Sequence, residues 1–97
     1  MQNYLSIRNL LESIFSVDVG LEESDALVVL GRVLGDEFQR GEIEKELCQL
    51  FRDRYVSWME LLDNESYVVY PADDEDDAKA YMVKILWDRV FPNTPVP

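Results

Sequence analysis

The chain has 97 residues, of which 20 are acidic, nine are basic and none is histidine, so its formal net charge is −11. This length accommodates one domain, and a hydrophobic content of 47% is too high for a disordered acidic tail. The lack of histidine and the presence of a single cysteine, Cys48, exclude histidine-dependent nucleophilic catalysis, an intrachain disulfide and a thiolate zinc cluster.

Apolar residues recur at steps of three and four along most of the chain, a spacing that predicts helices. The first predicted helix covers about residues 3–16, with Asn3 as its cap. The second covers about residues 22–40, and its apolar side chains take up so much of the circumference that we expect it to be the most buried helix. We expect Gly41 to end it in the left-handed conformation, although the pattern also fits a chain that runs through this residue.

The third predicted helix, about residues 42–62, is the clearest, because its leucine and aromatic residues keep to one side. Arg54 falls inside that apolar row, so we expect its stem to reach an edge or its guanidinium to pair with a carboxylate. Val56, Met59 and, further along, Trp87 fall outside the inner faces. We expect Trp87 to be buried by a second side of the bundle; if exposed, the three residues would suit a homodimer interface.

The last part of the chain contains a break and one more helix. Residues 63–66 interrupt the pattern, and residues 67–70 fit either a short strand or a loop before Pro71. The fourth predicted helix covers about residues 73–91, followed by a short tail over residues 92–97. Together these elements predict an all-α fold, a single-domain antiparallel bundle of about four helices.

Five consecutive acids at the start of the fourth helix are the densest local signal: Asp73, Asp74, Glu75, Asp76 and Asp77. One or two acids would suffice to stabilise a helix N-terminus, whereas five repel one another. The run lacks the spacing, glycine and closing glutamate of an EF-hand, which argues against a calcium loop. We interpret it as a surface for a basic partner, with Tyr67 and Tyr70 as neighbouring aromatic anchors; the alternatives are a solvated surface for the acids and buried positions for the tyrosines.

A second acidic feature lies on the third predicted helix. At 100° per residue, four acids project within one narrow arc on the side away from the leucine row: Glu42, Glu46, Asp53 and Glu60. The arc is therefore predicted to face solvent, either as a binding stripe or as an ordinary charged surface.

Charge and motif content narrow the class of function. An excess of negative charge disfavours direct binding to nucleic acid and to anionic membranes, and favours a basic protein as the partner. No glycine-rich phosphate loop is present, because Gly31 and Gly35 lie inside a helical pattern, and a bundle of 97 residues leaves little room for a substrate cleft, so we expect no cofactor and no enzymatic activity. Without histidine, a cysteine cluster or an EF-hand loop, we also expect no metal. A single thiol without an obvious secretory signal predicts a cytoplasmic location.

The acidic run and its surroundings resemble helical immunity proteins, which neutralise bacteriocins and contact-dependent toxins. In the immunity proteins of nuclease colicins, a Tyr-Tyr-Pro element followed by acids and a final helix forms the toxin-binding centre. Here Tyr70 and Pro71 precede the run, with Val69 in place of the first tyrosine. Residues 38–44, Phe-Gln-Arg-Gly-Glu-Ile-Glu, are similar to the helix junction of colicin D-type immunity proteins, which block a tRNA-cleaving toxin. The resemblance implies that Tyr70 and residues 73–77 contact the toxin.

We therefore expect an immunity protein that neutralises a basic bacterial toxin, a nuclease, by steric and electrostatic blocking. Carboxylates would stand in for the phosphates of the toxin's substrate, and opposite charge would speed association. One alternative is a non-enzymatic helical adaptor or regulatory subunit, whose acidity only keeps it soluble. Another is an acidic nucleic-acid mimic that inhibits a different nucleic-acid enzyme.

Overall fold

The computed structural model describes residues 4–97, and the chain forms five helices within that range. Helix α1 consists of Leu5–Leu10 and a π-helical turn that follows directly, Leu11–Phe15. The next three helices are α2, Glu23–Leu34, α3, Glu37–Arg52, and α4, Trp58–Leu62. Helix α5 consists of Glu75–Met82, a π-helical turn, Val83–Trp87, and a last α-helical turn, Asp88–Val90.

Extended backbone pairs only once among the described residues, at an isolated antiparallel bridge between Asp63 and Val68. The predicted all-α class is therefore confirmed, and residues 67–70 are a loop rather than a strand. No helix within residues 4–97 has both the length and the hydropathy needed to cross a bilayer. The predicted start of the first helix at Asn3 lies outside the described residues.

All five helices and the loop after α4 contribute side chains to one hydrophobic core. At its centre the Phe51 ring contacts the rings of Trp58 and Trp87, with centroids 4.7 and 4.8 Å away. Trp87 is therefore a core residue, as expected. Val56 and Met59 are half-buried against the same core, so these three residues do not form the exposed seam that a homodimer interface would need.

The predicted boundary between the second and third helices is wrong. Helix α2 ends at Leu34, and the Asp36 carboxylate accepts hydrogen bonds from the backbone N–H groups of Phe38 and Gln39, at 3.0 and 3.2 Å. This is an N-cap, so α3 starts there and continues through Gly41. As a result Phe38 does not extend the apolar row of α2 but lies on the surface, 76% exposed.

The predicted third helix is two helices. The Asp53 carboxylate accepts the Tyr55 N–H at 2.8 Å, and the Ser57 hydroxyl oxygen accepts the Glu60 N–H at 3.1 Å as the cap of α4. The first bond satisfies a backbone group beyond the end of α3, at Arg52. The second satisfies an N–H group in the first turn of α4, which starts at Trp58. Arg54 consequently lies exposed on the connector instead of inside an apolar row.

The ends of the last helix differ from the prediction by one or two residues. Helix α5 begins at Glu75 with Asp74 as its cap, and it ends at Val90. The tail after it folds back, because the Trp87 indole N–H donates to the backbone oxygen of Thr94 at 2.8 Å. This bond ties part of residues 92–97 to the core.

Candidate functional site

The acids at the start of α5 have different roles. The Asp74 carboxylate caps the helix by accepting the Asp77 N–H at 2.8 Å. The Asp77 carboxylate accepts the Tyr70 hydroxyl at 2.9 Å and the Asp73 N–H at 3.1 Å. Together these bonds hold the connector before α5 against its first turn.

Glu75 joins two helix starts. Its carboxylate accepts the Ser57 hydroxyl at 2.9 Å and the Trp58 N–H at 2.6 Å, both at the N-terminus of α4. The side chains of Asp73 and Asp76, by contrast, are exposed, and their carboxylates have no hydrogen bond and no ion pair with any described residue. Of the five acids, these two are therefore the most available to a partner.

Tyr70 forms a stacked pair with Tyr81, which is not among the predicted site residues. Their ring centroids are 4.2 Å apart and their planes differ by 6°. The hydrogen bond to Asp77 raises the pKa of Tyr70. Burial and the nearby Glu23 carboxylate, which accepts the Tyr81 hydroxyl at 3.2 Å, raise the pKa of Tyr81 to about 12. The available signal was spacing, because Tyr81 lies one helical turn after Asp77.

Tyr67 does not join this pair. Residues 67–70 alternate between buried and half-buried positions, and Tyr67 and Val69 are the buried ones. The Tyr67 side chain is only 5% exposed, so the prediction that it is a surface anchor beside Tyr70 is wrong. Successive side chains of an extended backbone point to opposite sides, so Tyr67 points into the core and Tyr70 points outward.

The predicted acidic arc faces α1 instead of open solvent. The Glu46 carboxylate accepts the N–H groups of Ser6 and Ile7, both at 3.1 Å, which satisfies the start of α1. The Tyr4 hydroxyl donates to Asp53 at 2.7 Å, and Arg8 pairs with Glu60 at 2.7 Å.

The pKa values around α1 follow from these contacts. The Tyr55 N–H and the Tyr4 hydroxyl lower the pKa of Asp53, and Arg8 lowers that of Glu60. Burial and then the hydrogen bond to Asp53 raise the pKa of Tyr4 to about 12. Three of the four arc acids therefore have partners inside the protein.

Glu42, the remaining arc acid, lines a groove of about 220 Å³ between α1 and the start of α3. The buried side chains of Leu10, Ile14 and Ile43 also line this groove, as does the exposed Phe38 ring. Residues 38–44, whose sequence is similar to a helix junction, lie inside α3. Among residues 4–97, no three carboxylate or cysteine side chains come close enough together to hold one metal ion.

The structure brings four predicted residues, Tyr70, Asp73, Asp74 and Asp77, together with Tyr81, and we call these five residues the acidic tyrosine patch. Asp76 lies on the same exposed helix terminus. The patch combines flat aromatic area with negative charge. Comparisons with protein-family models, with curated proteins and with solved structures each find no match.

Proposed function

We propose that the protein is a non-enzymatic immunity protein that binds a basic bacterial toxin through the acidic tyrosine patch. The observation that carries this proposal is the stacked, half-buried pair of Tyr70 and Tyr81 beside Asp73, a carboxylate that forms no ion pair with any residue from 4 to 97. Stacked tyrosines offer rigid apolar area at a low entropic cost, which is typical of residues that dominate the energy of protein interfaces.

The charge suits a nuclease as the target. A nuclease needs a basic cleft to bind phosphates, and the carboxylates of the patch would occupy such a cleft in place of the substrate. A net charge of −11 would also steer the encounter and raise the association rate at low salt. Such an inhibitor would act in the cytoplasm, where a nuclease toxin meets its substrate.

The test is binding to the toxin encoded by the neighbouring gene, measured by calorimetry at several salt concentrations. We expect the dissociation constant to rise with salt, and the double variant Asp73→Lys/Asp76→Lys to weaken binding about tenfold or more. The control is Asp18→Lys/Asp88→Lys, which changes two exposed acids elsewhere. Each double variant moves the net charge by four units, so the comparison separates a local contact from overall attraction.

Two results would contradict the proposal. If the protein does not bind the toxin at any salt concentration, it is not the toxin's immunity protein. If both double variants bind a partner as tightly as the unmodified chain, the acids are not a contact surface, and a helical adaptor whose acidity only keeps it soluble becomes the better description.

A further inference from the structure

The groove between α1 and the start of α3, which we call the Phe38 groove, has an apolar floor and a polar rim. Its floor consists of the core residues Leu10, Ile14 and Ile43, and the half-buried Val33 adds a wall from α2. Its volume of about 220 Å³ lies below the roughly 300–1,000 Å³ of sites that hold whole small molecules, so it suits a single apolar side chain. The uncharged rim residues are Ser6, Asn9, Ser13 and Gln39.

Phe38 extends this apolar surface beyond the groove. Its ring is 76% exposed, and its N–H donates to the Asp36 cap at 3.0 Å, which fixes the residue in the first turn of α3. A single exposed apolar side chain needs no explanation, but one that continues the floor of a groove enlarges a contiguous patch, which is typical of interaction sites. An occupant of the groove would also cover this ring from water, which is favourable in proportion to the apolar area removed.

Glu42 supplies the only charge among the described residues that line the groove. Its carboxylate is half-buried and forms no ion pair with any residue from 4 to 97. Glu42 lies one helical turn after Phe38, so the two side chains are neighbours on the same side of α3. An occupant that lays an apolar side chain beside Phe38 therefore meets one negative charge at the rim, which favours a cation next to that side chain.

We propose that the Phe38 groove holds an apolar side chain of the basic toxin, and that a neighbouring lysine or arginine of the toxin pairs with Glu42. An apolar residue and a cation one turn apart occur together on an amphipathic basic helix, a form in which partners commonly enter grooves. That the segment belongs to the toxin rests on the proposed function; the combination of apolar and cationic groups rests on the groove itself. A second copy of the chain suits the groove less well, because each copy carries a net charge of −11. The groove shares no residue with the acidic tyrosine patch and is a second contact for the same partner.

The test uses n-hexylammonium as the probe, beside 1-hexanol and hexanoate, which have the same chain length but are neutral and negative. Each is titrated into the isotope-labelled full chain, and NMR follows the methyl groups of Leu10, Ile14 and Ile43. We expect saturable shifts, with hexylammonium bound most tightly and hexanoate least. Glu42→Gln should weaken hexylammonium binding about threefold, the effect of one partly exposed charge pair, and leave hexanol binding unchanged. The matched control, Glu65→Gln, removes the same charge from an exposed position outside the groove and should change neither.

Phe38→Ala tests the apolar part of the site. We expect the variant to melt at nearly the same temperature as the unmodified chain, because the ring is exposed. It should nevertheless bind both hexylammonium and hexanol about threefold more weakly, and it should weaken toxin binding. Tyr55→Ala is the matched control, since it removes an exposed ring that does not line the groove and should bind the probes as the unmodified chain does.

Several results would overturn the site. These are shifts that do not saturate, hexanoate binding as tight as that of hexylammonium, and a Phe38→Ala chain that binds the toxin undiminished. Dimerisation that Phe38→Ala abolishes would also overturn it, because a second copy would then fill the groove. A chain that binds its toxin but not hexylammonium would overturn this site alone, whereas one that binds hexylammonium but no toxin would overturn only the proposed function.

Discussion

The Tyr70 ring stacks on the Tyr81 ring with a centroid distance of 4.2 Å, and this contact fixes the connector before α5 to the side of α5 itself. Each hydroxyl donates to a carboxylate, that of Tyr70 to Asp77 and that of Tyr81 to Glu23. Glu23 in turn pairs with Lys84 at 3.0 Å, so the network extends to α2. A partner that docks on the two rings would therefore meet a surface that is already ordered, and would lose little conformational freedom in ordering it.

Replacing Tyr70 tests the contribution of the stack to stability. Tyr70→Ala removes both the ring contact and the bond to Asp77, so we expect the free energy of unfolding to fall by about 1–2 kcal/mol. Tyr70→Phe keeps the ring and should lose roughly half of that. Tyr55→Ala is the control, because Tyr55 is 95% exposed and its side chain should matter little. Urea unfolding measures all three, and a Tyr70→Ala chain as stable as the control would contradict a structural role for the stack.

Glu75 and Asp76 are neighbours in the run but should respond differently to substitution. Glu75→Ala leaves the Trp58 N–H and the Ser57 hydroxyl without their acceptor, and we expect a loss of about 1–2 kcal/mol in the free energy of unfolding. Asp76→Ala removes an exposed acid from a repulsive cluster, so its effect should lie within about 0.5 kcal/mol. Equal losses in the two variants would mean that Glu75 acts only through its charge.

For the acidic arc, sequence periodicity predicts which side chains of α3 are buried, but it does not predict which helix packs against the arc. Helical spacing correctly separated the buried leucines of α3 from Glu42 and Glu46, because that separation depends on one helix alone. It could not reveal that α1 covers the other side, since the bonds from Glu46 to Ser6 and Ile7 join residues about 40 positions apart. Contacts over such separations leave no periodic signal in a single sequence.

The sequence also contains two N-cap signals that mark the true helix starts, but the continuous apolar pattern favoured longer helices. Ser57 is followed three residues later by Glu60, the spacing of a capping box, yet the apolar row continues across it and favoured one long helix. Asp36 before Glu37 is likewise an N-cap signal. Helical spacing places Tyr81 one turn after Asp77, but only the fold shows that Tyr70 lies against it.

Two tyrosines with raised pKa values predict a loss of stability at alkaline pH. In the folded chain the pKa values of Tyr4 and Tyr81 are about 12, whereas an unfolded tyrosine ionises near pH 10. The folded state therefore retains protons that the unfolded state releases, so this stabilisation is complete below about pH 10 and is lost as the pH rises toward about 12.

Unfolding curves measured between pH 8 and pH 12 test this effect, together with ultraviolet titration of the phenolates. The double variant Tyr4→Phe/Tyr81→Phe cannot ionise at these positions, so its stability should fall less steeply with pH. An identical slope in the variant and the unmodified chain would show that other groups cause the alkaline loss.

Gly41 gives a prediction that depends on the corrected helix boundary. The residue lies inside α3, and a Cβ added there would meet no atom within 4 Å. Gly41→Ala should therefore raise the free energy of unfolding by about 0.5–1 kcal/mol, because alanine restricts the unfolded chain and suits a helix. Gly20 is the contrasting control: its φ of +79° is left-handed, so Gly20→Ala should destabilise by about 1 kcal/mol although the site is equally open. If Gly41→Ala instead destabilised the chain as Gly20→Ala does, Gly41 would be a helix terminator after all, and α3 would begin after it.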